Sequence, residues 1–150
     1  MTILVIDVNG LKIANDKFGH AAGDELLRRA GEVLGKLVEE PCRVARIGGD
    51  EFAVLMPALS ERDGEEMMSA ISELVTLNNQ YYSRTELAFA IGAATSRPGE
   101  RLEAVVRRAD AAMYVQKRAY YADSPRDRRD ASSASRNTPA IPFEPPPPRN

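Results

Sequence analysis

The sequence predicts an α+β fold: one mainly antiparallel central sheet flanked by helices, in the order β-α-β-β-α-β-α. Three features carry that expectation. A short continuous apolar run opens the chain, a Gly-Gly pair lies between two further apolar runs, and three longer stretches repeat their apolar residues with a helical period.

The elements follow in order. Ile3-Leu4-Val5-Ile6 is uninterrupted, as in a strand buried on both faces. Asn15-Asp16-Lys17-Phe18 reads as a short helical turn broken by Gly19. Residues 21–40 read as a long helix, with Leu26, Leu27, Ala30, Val33, Leu34, Leu37 and Val38 on one face and Pro41 as its stop. Val44–Ile47 and Phe52–Met56 form a hairpin about a tight Gly48-Gly49 turn. Residues 61–77 make a second helix, with Met67, Met68, Ile71, Leu74 and Val75 facing the core. Leu87–Thr95 is a further strand, in which Gly92 marks the close approach of another element. Residues 102–118 make the last helix, its core face formed by Leu102, Val105, Val106, Ala109, Ala112 and Met113.

Residues 1–122 read as one folded domain and 123–150 as a tail. The stretch 124–150 holds seven of the ten prolines, including Pro145 to Pro148, after a Ser/Arg/Asp-rich segment. Such a composition cannot bury enough apolar surface to offset its ordering entropy, so it is expected to be disordered and to end in polyproline II. An inert extension is favoured over a ligand for an SH3-like domain. The net charge of −2 gives no electrostatic case for a nucleic acid polymer or an anionic membrane as partner. Cys42 is the only cysteine, which rules out an internal disulfide and a cysteine metal cluster and suits a cytoplasmic location. No apolar run is long enough to span a bilayer. The start Met1–Asp7 lacks a basic region and reaches a carboxylate too soon for a signal peptide.

The chemistry concentrates at two places. Asp7 closes the first apolar run, and Asp50 and Glu51 leave the Gly48-Gly49 turn. If those strands pair, three carboxylates converge at one sheet end, equipment for a divalent metal and a polyphosphate. Asp50 and Glu51 alternate faces if both have strand geometry, so only one can then point with Asp7. Asp7 alone reads equally well as a cap or turn aspartate. In Val8-Asn9-Gly10-Leu11-Lys12, Gly10 lets backbone N–H groups meet an anion and Lys12 can add a charge, although a solvated loop lysine is the simpler reading. Asn15 and Asp24 carry complementary groups for a guanine edge. Asp24 alone reads as a helix N-cap or first-turn acid. His20, the only histidine, is given no catalytic role.

Five motifs in order resemble the GGDEF domain, the diguanylate cyclase family, over residues 3–118. They are Ile6–Asp16, Gly19–Leu27, Arg46-Ile47-Gly48-Gly49-Asp50-Glu51-Phe52, Ala90–Ala94 and Ala109–Lys117. The resemblance implies a palm-like fold of the nucleotidyl cyclase type and condensation of two GTP into cyclic di-GMP with release of two pyrophosphates. It implies Mg²⁺ (or Mn²⁺) on Asp7, Asp50 and the Val8 carbonyl, and Glu51 at the attacking 3′-hydroxyl as base or metal ligand. Gly10, Leu11, Lys12 and Lys117 would hold phosphates, and Asn15 and Asp24 would recognise guanine. Because each domain holds one GTP, it also implies a homodimer.

Three departures stand beside it. The chain begins at the strand, without the family's preceding helical segment and its Asp-x-Leu-Thr motif, which suggests a fragment or a truncated reading frame. Tyr121 falls where the family has a phosphate-binding arginine; Arg118, the alternative, lies about one helical turn earlier. Glu39-Glu40-Pro41-Cys42 stands where the family has its inhibitory Arg-x-x-Asp, so product feedback there is not expected. The alternative to the cyclase is a weakened GTP-binding regulatory module of the same family. A nucleotidyl cyclase or polymerase-like palm with another product is more remote, because of the guanine-reading pair.

Overall fold

The computed structural model describes residues 1–82 and 84–123. Its elements are β1 (Thr2–Val8), α1 (Leu11–Phe18), α2 (His20–Leu37), β2 (Arg43–Arg46), β3 (Glu51–Met56), α3 (Glu61–Tyr81), β4 (Phe89–Thr95) and α4 (Leu102–Asp123). The four strands form one antiparallel sheet in the order β2-β3-β1-β4. Met1–Tyr120 forms one compact unit; of a second, Tyr121–Asn150, only the last residues of α4 are described. The tail expected over 124–150 lies outside the described residues.

Strand β1 is buried along its whole length, as its unbroken apolar run demands. Period-two alternation sends Leu4, Ile6 and Val8 into a core shared with α2, α3, Phe52, Val54 and Met56. It sends Ile3 and Val5 the other way, against Val105, Ala109 and Met113 of α4. Asp7 shares that second face and therefore looks toward α4.

Gly92 of β4 explains how α4 comes so near. A Cβ there would stand 1.9 Å from the Ala109 carbonyl oxygen and 2.2 Å from the Met113 nitrogen, so the helix backbone rides directly on the strand. This is the close approach read from the sequence. Leu102 and Val106, assigned to the core face of that helix, are instead 51% and 37% exposed. The buried line is the narrower Val105–Ala109–Met113 stripe.

Several boundaries differ from the sequence reading for physical reasons. Helix α2 ends at Leu37, not at residue 40, because Val38 turns extended to pack on the core while its N–H still bonds Leu34 O at 3.0 Å. Helix α3 runs past residue 77 to Tyr81. Asn78 and Asn79, usually helix-ending because they compete for local backbone groups, find distant partners instead. Asn79 brackets Leu87, accepting from its N–H (2.8 Å) and donating to its carbonyl (2.9 Å). That side chain replaces a ladder at Leu87, so β4 begins only at Phe89. Both asparagine Oδ1 atoms also accept from Arg29. Helix α1 is a full eight-residue helix rather than a turn.

Candidate active site

The Gly-Gly turn is a four-residue loop, Ile47–Asp50, closed by bonds from the Ile47 and Gly48 N–H groups to Glu51 O. Neither glycine needs a positive φ. Gly48 is short of room instead: a Cβ there would lie 3.1 Å from Glu51 Oε2. Arg46 ties the loop down by donating to the carbonyls of Gly48 (3.2 Å) and Gly49 (2.7 Å).

The expected pairing of the two strands is present, with Asp7 opposite Glu51. Directly opposed residues share a face, so Glu51, half-buried, lies on the Asp7 side of the sheet. Asp50 belongs to the loop, and its carbonyl accepts from the Val8 N–H at 2.9 Å. Its charge is felt at Asp7. The three carboxylates do not meet at one point. Among the described residues, no three His, Cys, Asp or Glu side chains converge closely enough to hold a metal alone. Asp50 sits off the strand, and Glu51 folds back against Gly48.

Asp7 is the most perturbed group here. It is 1% exposed, and Lys117 donates to its Oδ2 at 2.9 Å. Its Oδ1 is buried with no hydrogen-bond partner. Burial pushes its carboxyl above the usual range; the Lys117 bond lowers it, and the Asp50 charge raises it again. A desolvated carboxylate oxygen without a donor is chemically suited to a hard cation. Magnesium commonly takes one or two protein carboxylates and completes its shell with water and phosphate, so Asp7 and Asp50 with a main-chain carbonyl fit that ion without a third acid.

Beyond Asp7 the chain turns sharply. Asn9 is buried, its N–H bonds Ala88 O at 2.8 Å, and its Oδ1 has no partner. Gly10 adopts φ 73° and ψ 13° and opens α1 without a side-chain cap. Leu11 and Lys12 form the first turn of α1, so their N–H groups belong to a helix start, which favours an anion. Lys12 is exposed.

Asn15 lies about one turn farther along α1. Its side chain packs on Gly23 of α2, where a Cβ would stand 2.0 Å from Asn15 Oδ1, and that oxygen is buried without a partner. Asp24 follows Gly23 and is exposed. It neither caps nor begins α2: Gly19 is the N-cap, the first turn holds no acid, and Asp24 lies in the second turn. The local helix role that competed with a ligand role is therefore absent.

Sequence reasoning passed over Asn9, Arg46 and Arg29. Arg46 had a signal, a long donor beside a turn rich in bare carbonyls. Buried Arg29 had none, since its acceptors come from residues 78–85.

Comparison with known proteins agrees with this architecture. Residues 1–121 match the family model described as diguanylate cyclase, GGDEF domain. The chain is 33% identical over 121 residues to diguanylate cyclase DgcP of Pseudomonas aeruginosa, covering 79% of this chain and 18% of that protein. It is 34% identical over 122 residues to diguanylate cyclase DosC of Escherichia coli, covering 79% and 26%. It thus spans about a fifth to a quarter of those relatives' length. Its fold superposes on the GGDEF domain of DgcB from Caulobacter crescentus, solved in complex with c-di-GMP, with a TM-score of 0.72, 30% identity, and coverage of 79% of this chain and 72% of that one. With its antiparallel sheet, its loop and its matched length, this chain belongs to the GGDEF domain family of diguanylate cyclases.

Proposed function

We propose that the chain condenses two GTP into cyclic di-GMP, releasing two pyrophosphates, with Mg²⁺ or Mn²⁺ and as a homodimer. The observation that carries this reading is the buried, unpartnered Asp7 Oδ1 at the end of the central strand, next to the Gly10 turn.

In this reading Asp7, Asp50 and the Val8 carbonyl hold the metal, which when bound neutralises the triphosphate and acidifies the attacking hydroxyl. The backbone at Gly10 and Leu11, with Lys12 and Lys117, holds the β- and γ-phosphates, and Asn15 and Asp24 hold guanine. Glu51 accepts the 3′-hydroxyl proton as that oxygen bonds to the α-phosphorus of the second GTP and pyrophosphate leaves. Each copy holds one GTP, so the ring closes only between two facing copies. Incubation at high protein concentration with GTP and Mg²⁺, followed by mass detection, should yield cyclic di-GMP that disappears in Glu51→Ala. GTP binding without product would defeat the cyclase reading.

A second reading, a GTP-binding regulatory module without turnover, is favoured by one observation. Lys117, a proposed phosphate ligand, is engaged with Asp7, a proposed metal ligand. In that case a partner's response to GTP persists or changes in Asp50→Ala, with no turnover to lose.

A further inference from the structure

The bond from Lys117 Nζ to Asp7 Oδ2, 2.9 Å long, joins two side chains of unlike freedom. Asp7 is 1% exposed and sits on the inner strand β1, paired with Glu51 on one side and Ala90 on the other. The Lys117 side chain is 31% exposed and rides on a flexible four-carbon stem. The α4 backbone is seated against Gly92, so any move belongs to the side chain. Of the two charged groups, the lysine is the one with room to swing.

The other oxygen of the carboxylate, Asp7 Oδ1, is buried without a hydrogen-bond partner. In the proposed reading this same small group also holds the metal. A dication and an ammonium would then share one carboxylate, as like charges a few ångströms apart where little water screens them. Asp7 and the nearby Asp50 carry two negative charges against the three positive ones. Glu51 turns back to Gly48. A triphosphate changes that balance, because its several negative charges can take up the ammonium and the metal together.

We infer that Lys117 bars the metal from Asp7 until a triphosphate draws its ammonium away, so that metal and nucleotide enter the site as one. The inference rests on reading the site as a GTP site. Lys117 is then a positioning residue for the metal. Its removal should loosen the dependence of each ligand on the other, and by linkage equally in both directions.

The test uses Mn²⁺ as the probe, its free fraction read by electron paramagnetic resonance. It compares the full 150-residue chain with Lys117→Met, which keeps the stem and removes the charge. Without nucleotide, Lys117→Met should bind Mn²⁺ at least about tenfold more tightly than the wild type, and Mn²⁺ should raise its melting temperature more. The gain should vanish when Asp7→Asn is added, which separates this site from a general loss of positive charge. Equal affinity, or none in either form, overturns the inference and leaves the cyclase reading standing. A gain that survives Asp7→Asn also overturns it. Where Lys117→Met does not fold, the nitrogen resonance of the Lys117 ammonium in the wild type decides. Mg²⁺ with a non-hydrolysable GTP analogue should shift it, and Mg²⁺ alone should not. A shift with Mg²⁺ alone, or none with both, overturns the inference. If the wild type binds GTP and Mn²⁺ but makes no product, the cyclase reading fails and the Mn²⁺ comparison still decides for Lys117. If no form binds Mn²⁺ with GTP, both fail.

Discussion

Two buried polar clusters lie on different elements of this fold, and they are built on opposite terms. Arg29 of α2 is 1% exposed and has no carboxylate among its hydrogen-bond partners, yet each guanidinium nitrogen has an acceptor: Asn78 Oδ1 at 2.8 Å, Thr85 O at 2.7 Å and Asn79 Oδ1 at 2.7 Å. The Tyr82 ring covers it at 4.2 Å. Burial lowers its pKa, but a guanidinium stays charged. At the end of β1 the opposite holds: Asp7 Oδ1 and Asn9 Oδ1 are buried without partners, as is Asn15 Oδ1 on α1. A satisfied network costs the fold little and fixes it, whereas an unsatisfied group costs stability and persists where it serves another purpose. The Arg29 cluster holds α2, α3 and the segment before β4 together; the Asp7 end is left unsatisfied, as the proposed metal site requires.

The sharpest way to break that contrast is Asp7→Asn. On the proposed function, turnover should fall at least about 100-fold, since a proposed metal ligand loses its charge, while the melting temperature holds or rises. If stability falls instead, Asp7 is a structural residue like Arg29. The converse is Arg29→Ala. It leaves the half-buried Asn78 Oδ1 and Thr85 O without this donor, at roughly 1–3 kcal/mol each, and empties the space of a buried side chain, so urea denaturation should show a loss of about 3 kcal/mol. GTP affinity of the remaining folded protein should stay unchanged.

Gly23→Ala sharpens the comparison at Asn15. The new methyl would meet Asn15 Oδ1, 2.0 Å away, and must push the amide aside. Alanine's helix propensity contributes about 1 kcal/mol in compensation, so net stability should barely move. Preference for GTP over ATP should drop, by roughly tenfold if one polar contact is lost; competition binding measures it. Retained preference would remove Asn15 from guanine recognition.

The smallest effect is on pH dependence. Asp7 has its folded pKa raised above the ordinary 3.8, so the folded chain binds this proton more tightly than the unfolded one. Its contribution to stability therefore falls as pH rises from 3.8 through the raised value. Glu100 runs the other way. Arg108 holds it at about 2 against 4.5, so its contribution is complete above 4.5 and is lost as pH falls toward 2. Melting curves of Asp7→Asn and wild type against pH should diverge above 3.8, the variant gaining, and then run parallel. No divergence would mean that Asp7 is not desolvated in solution.

What the sequence disclosed was local. The buried strand, the hairpin and the helices were legible because each is written in a period or a turn residue within a few positions, and the family motifs placed Asp7, Glu51 and Asn15 near their observed surroundings. What it hid depends on distant atoms. The extension of α3 rests on Arg29 donating to the Oδ1 atoms of Asn78 and Asn79 and on Leu87 exchanging two hydrogen bonds with Asn79. Arg29 itself looks like a solvated helix arginine until residues 78–85 close over it. The failure of three carboxylates to converge follows from loop geometry that Gly48-Gly49 alone does not specify.

Gly92 carries a consequence for how such a chain can change over generations. The obstruction it avoids is main chain, namely the Ala109 carbonyl, the Met113 nitrogen and the Ala112 carbonyl carbon. No substitution on α4 can clear main-chain atoms out of the way. A side chain at 92 thus has no second-site rescue among its neighbours and can be admitted only by displacing the helix, which carries Lys117 off Asp7. Position 92 is locked by main chain, whatever side chains α4 carries.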